Sequence, residues 1–246
     1  MGACEMDGAA EDAALARLVS AGADGGGRVV AYGSGPDQVA ELFGEGGDRC
    51  VVVVHGGYFR PSIDRAHARP VARALAAAGW VVALVEYRRV PGDPGATVAD
   101  LRAADAALRS WGLEPEVWVG HSAGGTLVLL RALAADLPPV RVVALAPVAD
   151  LAGAVRDGLG DDAVAEWVGE SDLGAVDPVA LLSSRADAAE VRGRVRVLHG
   201  DGDVTVPVGQ SLAWSPDVAV IQGAHHFDLV DPESPVWPLV VRALEG

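Results

Sequence analysis

In Val117-Trp118-Val119-Gly120-His121-Ser122-Ala123-Gly124, an apolar strand-like run leads into a serine between two glycines, and a helix-forming run follows. A serine in the pattern Gly-x-Ser-x-Gly between a strand and a helix lies on a sharp, strained turn that exposes its hydroxyl. The small residues two positions before and after it keep the neighbouring backbone from clashing with that turn. The stretch therefore predicts a strand-turn-helix unit with Ser122 as a candidate nucleophile.

The rest of the chain alternates between strand-like and helix-like segments. Val51 to Val54 is a continuous β-branched run, typical of a strand that is buried on both faces of a parallel sheet. The predicted strands are 28–32, 38–43, 51–54, 80–85, 116–119, 140–146, 194–199 and 217–221, and the predicted helices are 11–20, 70–78, 98–111, 123–135 and 236–244. This alternation predicts an α/β fold with a mostly parallel eight-stranded sheet and helices on both faces.

The chain divides into an acidic, Ala/Gly-rich N-terminal segment, residues 1–27, and a single α/β domain, residues 28–246. Region 147–193 breaks the alternation between the sixth and seventh strands, and it contains a short predicted helix, 163–168. Such sheets bind ligands above the carboxyl ends of their strands, where this insertion lies. We expect a small lid or pocket wall there, with an ordinary crossover connection as the alternative.

Charge and cysteine content limit the partners and the compartment. The formal net charge is −15 and the chain has no Lys and no basic run, which argues against nucleic acid and anionic membranes as partners. Cys4 and Cys50 offer neither a disulfide framework nor metal-ligand spacing. The acidic N-terminus does not resemble a signal peptide, and no apolar run approaches the length of a membrane span. These features predict a cytoplasmic protein with a small-molecule substrate and no metal; the oligomeric state stays open.

A serine hydroxyl becomes a good nucleophile only when a base lies within hydrogen-bond reach and a third group orients that base. On this kind of sheet the chain order is serine, then Asp or Glu, then His. The expected carboxylate is Asp203, just after a strand, with Asp201 as the alternative. Two histidines follow, and we favour His226 over His225 as the base. The predicted catalytic residues are therefore Ser122, Asp203 and His226.

Three further histidines fit the role of base less well. His67 lies beside a polar helix start and is expected to be solvated, whereas His121 occupies the variable position of the serine motif. His199 ends a strand and is expected to satisfy a local hydrogen bond.

Adjacent glycines follow the third predicted strand in His55-Gly56-Gly57-Tyr58-Phe59-Arg60. Adjacent glycines let the backbone turn back and aim N–H groups at a developing oxyanion. We expect the N–H groups of Gly57, Tyr58 and Ala123 to form this oxyanion hole. Candidates for an aromatic substrate pocket, or equally for ordinary core, are Phe59, Trp167 and Phe227, together with Tyr58.

With these motifs the chain resembles the α/β-hydrolase superfamily, from about Arg28 to Ala243. Within the superfamily it is most similar to the arylformamidase (kynurenine formamidase)-like and small carboxylesterase-like groups. The motifs are His-Gly-Gly at 55–57, Tyr-Arg at 87–88, Gly-His-Ser-Ala-Gly-Gly at 120–125, His-Gly-x-x-Asp-x-x-Val-Pro at 199–207 and His-Phe-Asp-Leu at 226–229. The resemblance implies Ser122 as nucleophile, Asp203 as acid and His226 as base.

The resemblance implies hydrolysis of a small ester or amide through an acyl-enzyme, without a cofactor. Arylformamidase-like activity is the first expectation and general short-chain carboxylesterase activity the alternative; a non-catalytic binding protein with the same fold is a third. Two residues depart from the family patterns. Phe59 stands where formamidases of this type carry Trp, and Tyr58 stands where hormone-sensitive-lipase-like esterases carry a third glycine.

Overall fold

A computed structural model describes residues 3–24 and 26–246, so residues 1, 2 and 25 of the predicted N-terminal segment lie outside the described part. Its centre is one eight-stranded sheet with the strand order β1-β2-β4-β3-β5-β6-β7-β8. The strands are β1 Arg28–Ala31, β2 Val39–Phe43, β3 Cys50–Val54, β4 Val81–Val85, β5 Pro115–His121, β6 Arg141–Leu145, β7 Val195–Gly200 and β8 Val218–Ile221. Only the pairings of β2 with β1 and with β4 are antiparallel, as the prediction of a mostly parallel sheet requires.

The central strands bring the two motif-bearing loops together. All five residues of β3 are buried, which confirms the expectation from the β-branched run. Strands β3 and β5 pair in parallel with Val54 opposite Gly120. Because both strands end at the same edge of the sheet, the His-Gly-Gly loop after β3 lies beside the Ser122 turn after β5.

Helices cover both faces of the sheet, as predicted. They are α1 Ala3–Ala23, α2 Arg69–Ala77, α3 Pro94–Ser110, α4 Ala123–Leu133, α5 Leu151–Arg156, α6 Leu159–Val168, α7 Pro178–Ser183, α8 Ala188–Gly193, α9 Gly209–Trp214 and α10 Trp237–Glu245. One buried cluster joins the sheet to α3 and α4 through residues such as Leu101 and Leu127. The other joins it to α1, α2 and α10 through Leu18, Leu75 and Leu244.

Helix α1 is longer than the expected 11–20, and it is docked on the domain. Ala14 and Leu18 are buried, and the Arg17 guanidinium lies 3.3 Å from the Asp231 carboxylate. At its C-terminal end, Arg69 donates to the Gly22 carbonyl at 2.9 Å, and Arg73 donates to the Ala21 carbonyl at 2.7 Å. These guanidinium groups satisfy carbonyls that the last turn leaves unpaired, so tertiary contacts stabilise the extension of the helix to Ala23.

The insertion between β6 and β7 contains α5 to α8 and closes over the carboxyl end of the sheet. Its helix α6 includes the predicted helix 163–168, and residues 160–162 in its first turn have positive φ. Arg60 of the His-Gly-Gly loop donates to the Gly160 carbonyl at 3.2 Å and to the Asp161 carbonyl at 2.8 Å. The insertion is therefore fastened to the loop that follows β3. Within residues 3–24 and 26–246, no helix is long and apolar enough to cross a bilayer.

Candidate active site

Ser122 lies on a strained turn between β5 and α4, with φ of 57° and ψ of −122°. A positive φ is uncommon for a residue with a side chain and persists only where the surrounding structure imposes it. The Ser122 N–H donates to the Leu145 carbonyl at 2.9 Å. A Cβ at Gly120 would lie 2.1 Å from the Gly124 carbonyl oxygen, and one at Gly124 would lie 2.2 Å from that of Val54. Both glycines of the motif are therefore sterically required.

The Asp203 carboxylate, in the loop after β7, is buried and receives several hydrogen bonds. Its Oδ2 lies 2.6 Å from His226 Nδ1 and 3.2 Å from His199 Nε2, and its Oδ1 accepts the Val206 N–H at 2.7 Å. Burial raises the pKa of this carboxyl, but the hydrogen bonds from His199 and His226 lower it by more, so the pKa lies well below its ordinary value. Asp203 is thus an anion at neutral pH. The alternative acid, Asp201, is exposed and accepts the Gly223 N–H.

The structure places His226, and not His225, against the buried carboxylate. His226 is 2% exposed, and because Asp203 is an anion, its Nδ1 carries the proton of this hydrogen bond. The His225 ring instead accepts the N–H groups of Phe227 and Asp228 at 3.2 Å and caps the 3₁₀ turn His226–Val230. His225 therefore shapes the turn that carries its neighbour.

His121, at the variable position of the serine motif, supports the same turn. Its Nε2 donates to the His226 carbonyl at 2.9 Å, and the two rings lie 4.4 Å apart. Burial lowers the pKa of His121 well below its ordinary value, which keeps this ring neutral. Sequence reasoning missed this role because nothing in the motif specifies the variable residue. His199 satisfies local hydrogen bonds as expected, with Ser211 and the Val206 carbonyl.

His67 is not solvated, so that expectation is wrong. Helix α1 packs directly across the 3₁₀ turn Arg65–Ala68, so closely that a Cβ at Gly22 would lie 2.0 Å from the Ala66 carbonyl oxygen. His67 is consequently 8% exposed, and its Nδ1 donates to the Asp64 carbonyl at 2.8 Å. Burial lowers its pKa to about 4, so the ring is neutral at pH 7.

The His-Gly-Gly loop has an unusual backbone and lies beside the serine turn. Three consecutive residues have positive φ, namely Gly57 at 124°, Tyr58 at 54° and Phe59 at 56°. A Cβ at Gly56 would lie 3.1 Å from that of Ser122, so the loop runs directly against the serine turn. The geometry brings the N–H-bearing segment expected for the oxyanion hole beside Ser122.

Residues after β4 hold this loop in place. The Tyr87 hydroxyl donates to the His55 carbonyl at 2.7 Å, and a carboxylate oxygen of Glu86 lies 2.9 Å from His55 Nε2. Burial raises the pKa of Glu86, but the charges of His55 and Arg89 lower it by more, and it stays ionised. Tyr87 of the Tyr-Arg motif, together with its neighbours Glu86 and Arg89, is thus part of a buried support for the loop, whereas Arg88 pairs with Asp100.

Ser122 lies between two cavities of different size. The larger, of about 240 Å³, is lined by Leu15, Val19, Gly56, Gly57, Tyr58, Ser62, Ile63, Asp64, Ala66, His67, His121, Ser122, His226 and Phe227. The smaller, of about 10 Å³, is lined by Tyr58, Phe59, Ser122, Ala123, Val148, Leu159, Gly160, Ala163, Val164, Thr205 and Val206. Helix α1 thus contributes a wall of the larger cavity, and the insertion contributes a wall of the smaller one.

The candidate pocket aromatics take different positions. Phe227 lines the larger cavity and Phe59 the smaller one. Trp167 lies behind Phe59, with the two rings stacked at 4.1 Å, and its Nε1 donates to the Thr97 hydroxyl at 3.2 Å. Trp167 is 1% exposed and does not line the small cavity; it packs against Phe59, which does.

Potential metal ligands do not cluster in the part of the chain that the structure describes, where no group of three or more His, Cys, Asp or Glu side chains could hold an ion. Cys50 is a free, buried thiol in β3, and burial raises its pKa to about 11. This thiol is therefore neutral and unsuited to act as a ligand or nucleophile.

Comparison with known proteins shows the architecture. No family model matches the chain. A carboxylesterase/phospholipase, LipF of Mycobacterium tuberculosis, is 35% identical over 114 residues, which span 44% of this chain and 31% of LipF. This chain thus matches less than a third of that relative's length.

Three solved structures match nearly the whole chain. Esterase B of Lactobacillus rhamnosis, inhibited by a tributyrin phosphonate, has a TM-score of 0.69 at 18% identity, covering 98% of this chain and 91% of its own. Thermogutta terrifontis esterase 2, phosphonylated by sarin, has a TM-score of 0.67 at 20% identity, and the match covers 89% of this chain and 92% of the esterase. A hormone-sensitive lipase from a metagenome library has a TM-score of 0.66 at 20% identity, and the match covers 94% of this chain and 89% of the lipase. Together with the strand order and the serine turn, these matches show that this chain has the α/β-hydrolase fold.

Proposed function

We propose that the protein is a serine hydrolase that cleaves an ester or amide bond of a small substrate. The observation that carries this proposal is one arrangement: Ser122, on its strained turn, lines the same cavity as His226, whose Nδ1 lies 2.6 Å from the buried Asp203 carboxylate. An activated serine requires a base and a group that orients the base. The esterase names of the matched proteins support the same activity.

The mechanism follows from these positions. His226 takes the proton of the Ser122 hydroxyl as the oxygen attacks the substrate carbonyl, and then delivers it to the leaving group. Water hydrolyses the resulting acyl-enzyme with His226 again as base. The ionised Asp203 holds the imidazole tautomer. The N–H groups of Gly57, Tyr58 and Ala123 stabilise the oxyanion, and each such donor lowers the activation barrier by about 3 kcal/mol.

The two cavities support a placement for each half of the substrate. His226 must reach the leaving atom, so the leaving group belongs in the cavity of about 240 Å³ that His226 lines. The acyl substituent then belongs in the cavity of about 10 Å³ beside Ala123. Because a cavity needs roughly 10–15 Å³ to hold a single water molecule, this space accepts one small substituent. The preferred acyl groups are therefore formyl and acetyl.

A formyl group with an aromatic leaving group makes arylformamidase-like activity the first candidate. Leu15, Val19 and Phe227 give the larger cavity an apolar lining suited to an aryl group. The second candidate is a carboxylesterase for short acyl chains. It is favoured by Phe59, which stands where formamidases of this type carry Trp, and by the similarity to a carboxylesterase over 114 residues.

Kinetics on two substrates test these proposals, with Ser122→Ala as the blank. A ratio of kcat/KM for N-formylkynurenine to that for p-nitrophenyl acetate well above one would assign arylformamidase activity. A ratio well below one would assign carboxylesterase activity. If neither substrate were turned over above the blank and a fluorophosphonate failed to label Ser122, the hydrolase proposal would be wrong and a non-catalytic binding protein would replace it.

A further inference from the structure

Glu11 is a buried carboxylate that helix α1 inserts between two loops of the candidate active site. Glu11 is only 2% exposed. Oε1 accepts the Val204 N–H at 3.0 Å and the His226 N–H at 3.1 Å, and Oε2 accepts the Thr205 hydroxyl at 2.5 Å. Burying a carboxylate is costly unless hydrogen bonds replace its hydration. No basic side chain among the described residues forms an ion pair with Glu11. These three hydrogen-bond donors therefore offset the cost of removing its carboxylate from water.

The three donors lie at or next to the proposed acid, Asp203, and the proposed base, His226. Val204 and Thr205 directly follow Asp203, and the third donor is the backbone N–H of His226 itself. One carboxylate thereby bridges the loop that carries the acid and the loop that carries the base. Tyr58 and Thr205 line the same small cavity, so the His-Gly-Gly loop lies beside this contact.

We propose that Glu11 is a positioning residue that holds the loops of Asp203 and His226 in catalytic register. In consequence, α1 is an integral part of the active site. This inference rests on the proposed serine hydrolase function. Fixing the His226 backbone fixes the origin of its imidazole, and a misplacement of about 1 Å in a catalytic group can lower the rate about a hundredfold. Glu11 touches neither substrate nor the reacting atoms; it acts through His226 and the loop of Asp203.

Three substitutions separate the geometry of this contact from its charge. In Glu11→Gln, the amide oxygen still accepts both N–H groups and the amide N–H can donate to the Thr205 oxygen. In Glu11→Asp, the charge remains but the carboxylate is one methylene too short. In Glu11→Ala, all three donors are left without a partner. We expect kcat close to wild type for the Gln variant, several-fold lower for Asp, and at least tenfold lower for Ala.

A matched control on the same helix is Leu18→Ala. Leu18 is buried and packs against the core, but it lines neither cavity beside Ser122. This variant weakens the docking of α1 and lowers Tm without removing the Glu11 contacts. We expect its kcat to match wild type. Because Leu15 and Val19 of α1 line the larger cavity, simple undocking of the helix would raise KM, whereas loss of register lowers kcat.

A spectroscopic measurement tests the role of Glu11 without requiring that a substrate be turned over. A proton held between an imidazole Nδ1 and a carboxylate produces a far-downfield proton resonance, so the His226–Asp203 hydrogen bond can be followed by NMR in the full chain. We expect Glu11→Ala to broaden or remove this resonance, and Glu11→Gln and Leu18→Ala to retain it. The proposal is overturned if Glu11→Ala keeps both the resonance and kcat, or if Glu11→Gln loses them as Glu11→Ala does. A wild type that shows the resonance but no turnover would contradict the hydrolase function and not the role of Glu11.

Discussion

Leu159, on the insertion, closes one side of the small cavity beside Ser122 and is half-buried. Replacing it with alanine opens space for a longer acyl chain. A butyryl group carries two more methylenes than acetyl, and burying each contributes about 0.8 kcal/mol, or about 1.6 kcal/mol together. Since 1.4 kcal/mol is a factor of ten, the ratio of kcat/KM for p-nitrophenyl butyrate to that for the acetate should rise roughly fifteenfold in Leu159→Ala.

The two esters share a leaving group, so this ratio reports the acyl site alone. Leu15→Ala is the matched control, because Leu15 lines the larger cavity on the other side of Ser122. It should change kcat/KM for both esters by the same factor. If the ratio stayed constant in Leu159→Ala, or moved as far in Leu15→Ala, the placement of the acyl group in the small cavity would be refuted.

Three other perturbations have defined outcomes. Ser122→Ala should abolish turnover and fluorophosphonate labelling while the circular dichroism spectrum stays unchanged; residual turnover equal to wild type would exclude this nucleophile. The pKa of His67 falls from 6.5 to about 4 on folding, so the unfolded chain takes up the proton first and stability is lost as the pH drops through that range. This loss should reach roughly 3 kcal/mol at 1.36 kcal/mol per unit, and urea unfolding at about pH 7 and about pH 4.5 should show a smaller difference in His67→Gln. Gly124→Ala places a Cβ 2.2 Å from the Val54 carbonyl oxygen and should sharply lower Tm, whereas Gly193→Ala, with nothing within 4 Å, should not; equal Tm values would contradict the packing at the serine turn.

The central strands were predictable because burial on both faces leaves a direct trace in the sequence. The β-branched run of β3 and the apolar run before Ser122 needed no tertiary information. Helix starts were less visible, since a cap has to be recognised in its place. Helix α3 begins at Pro94 and not at 98 because the Asp93 carboxylate accepts the Ala96 N–H. In the insertion, Asp177 caps α7 in the same way, and such short helices have too few turns to show a periodic apolar face.

The residues of the candidate site also divide into those that a sequence motif identifies and those that only tertiary packing identifies. Ser122, Asp203 and His226 follow from motifs because each stands at a fixed place after a strand. Glu11 and His121 do not, because their partners are chosen by packing. Glu11 is 215 positions from His226, and an acidic residue on a predicted helix ordinarily faces water. Only the docking of α1 on the finished domain gives Glu11 its partners, so no local pattern could have identified it.

That separation also has a consequence for folding. Contacts between residues far apart in sequence form only after the entropy of closing the intervening loop has been spent. The bridge from Glu11 to Val204, Thr205 and His226 closes loops of 193 to 215 positions. The strand pairings and the serine turn need no such closure by α1. We therefore expect the contacts of Glu11 to be among the last to form as the chain folds, after the strand pairings and the serine turn.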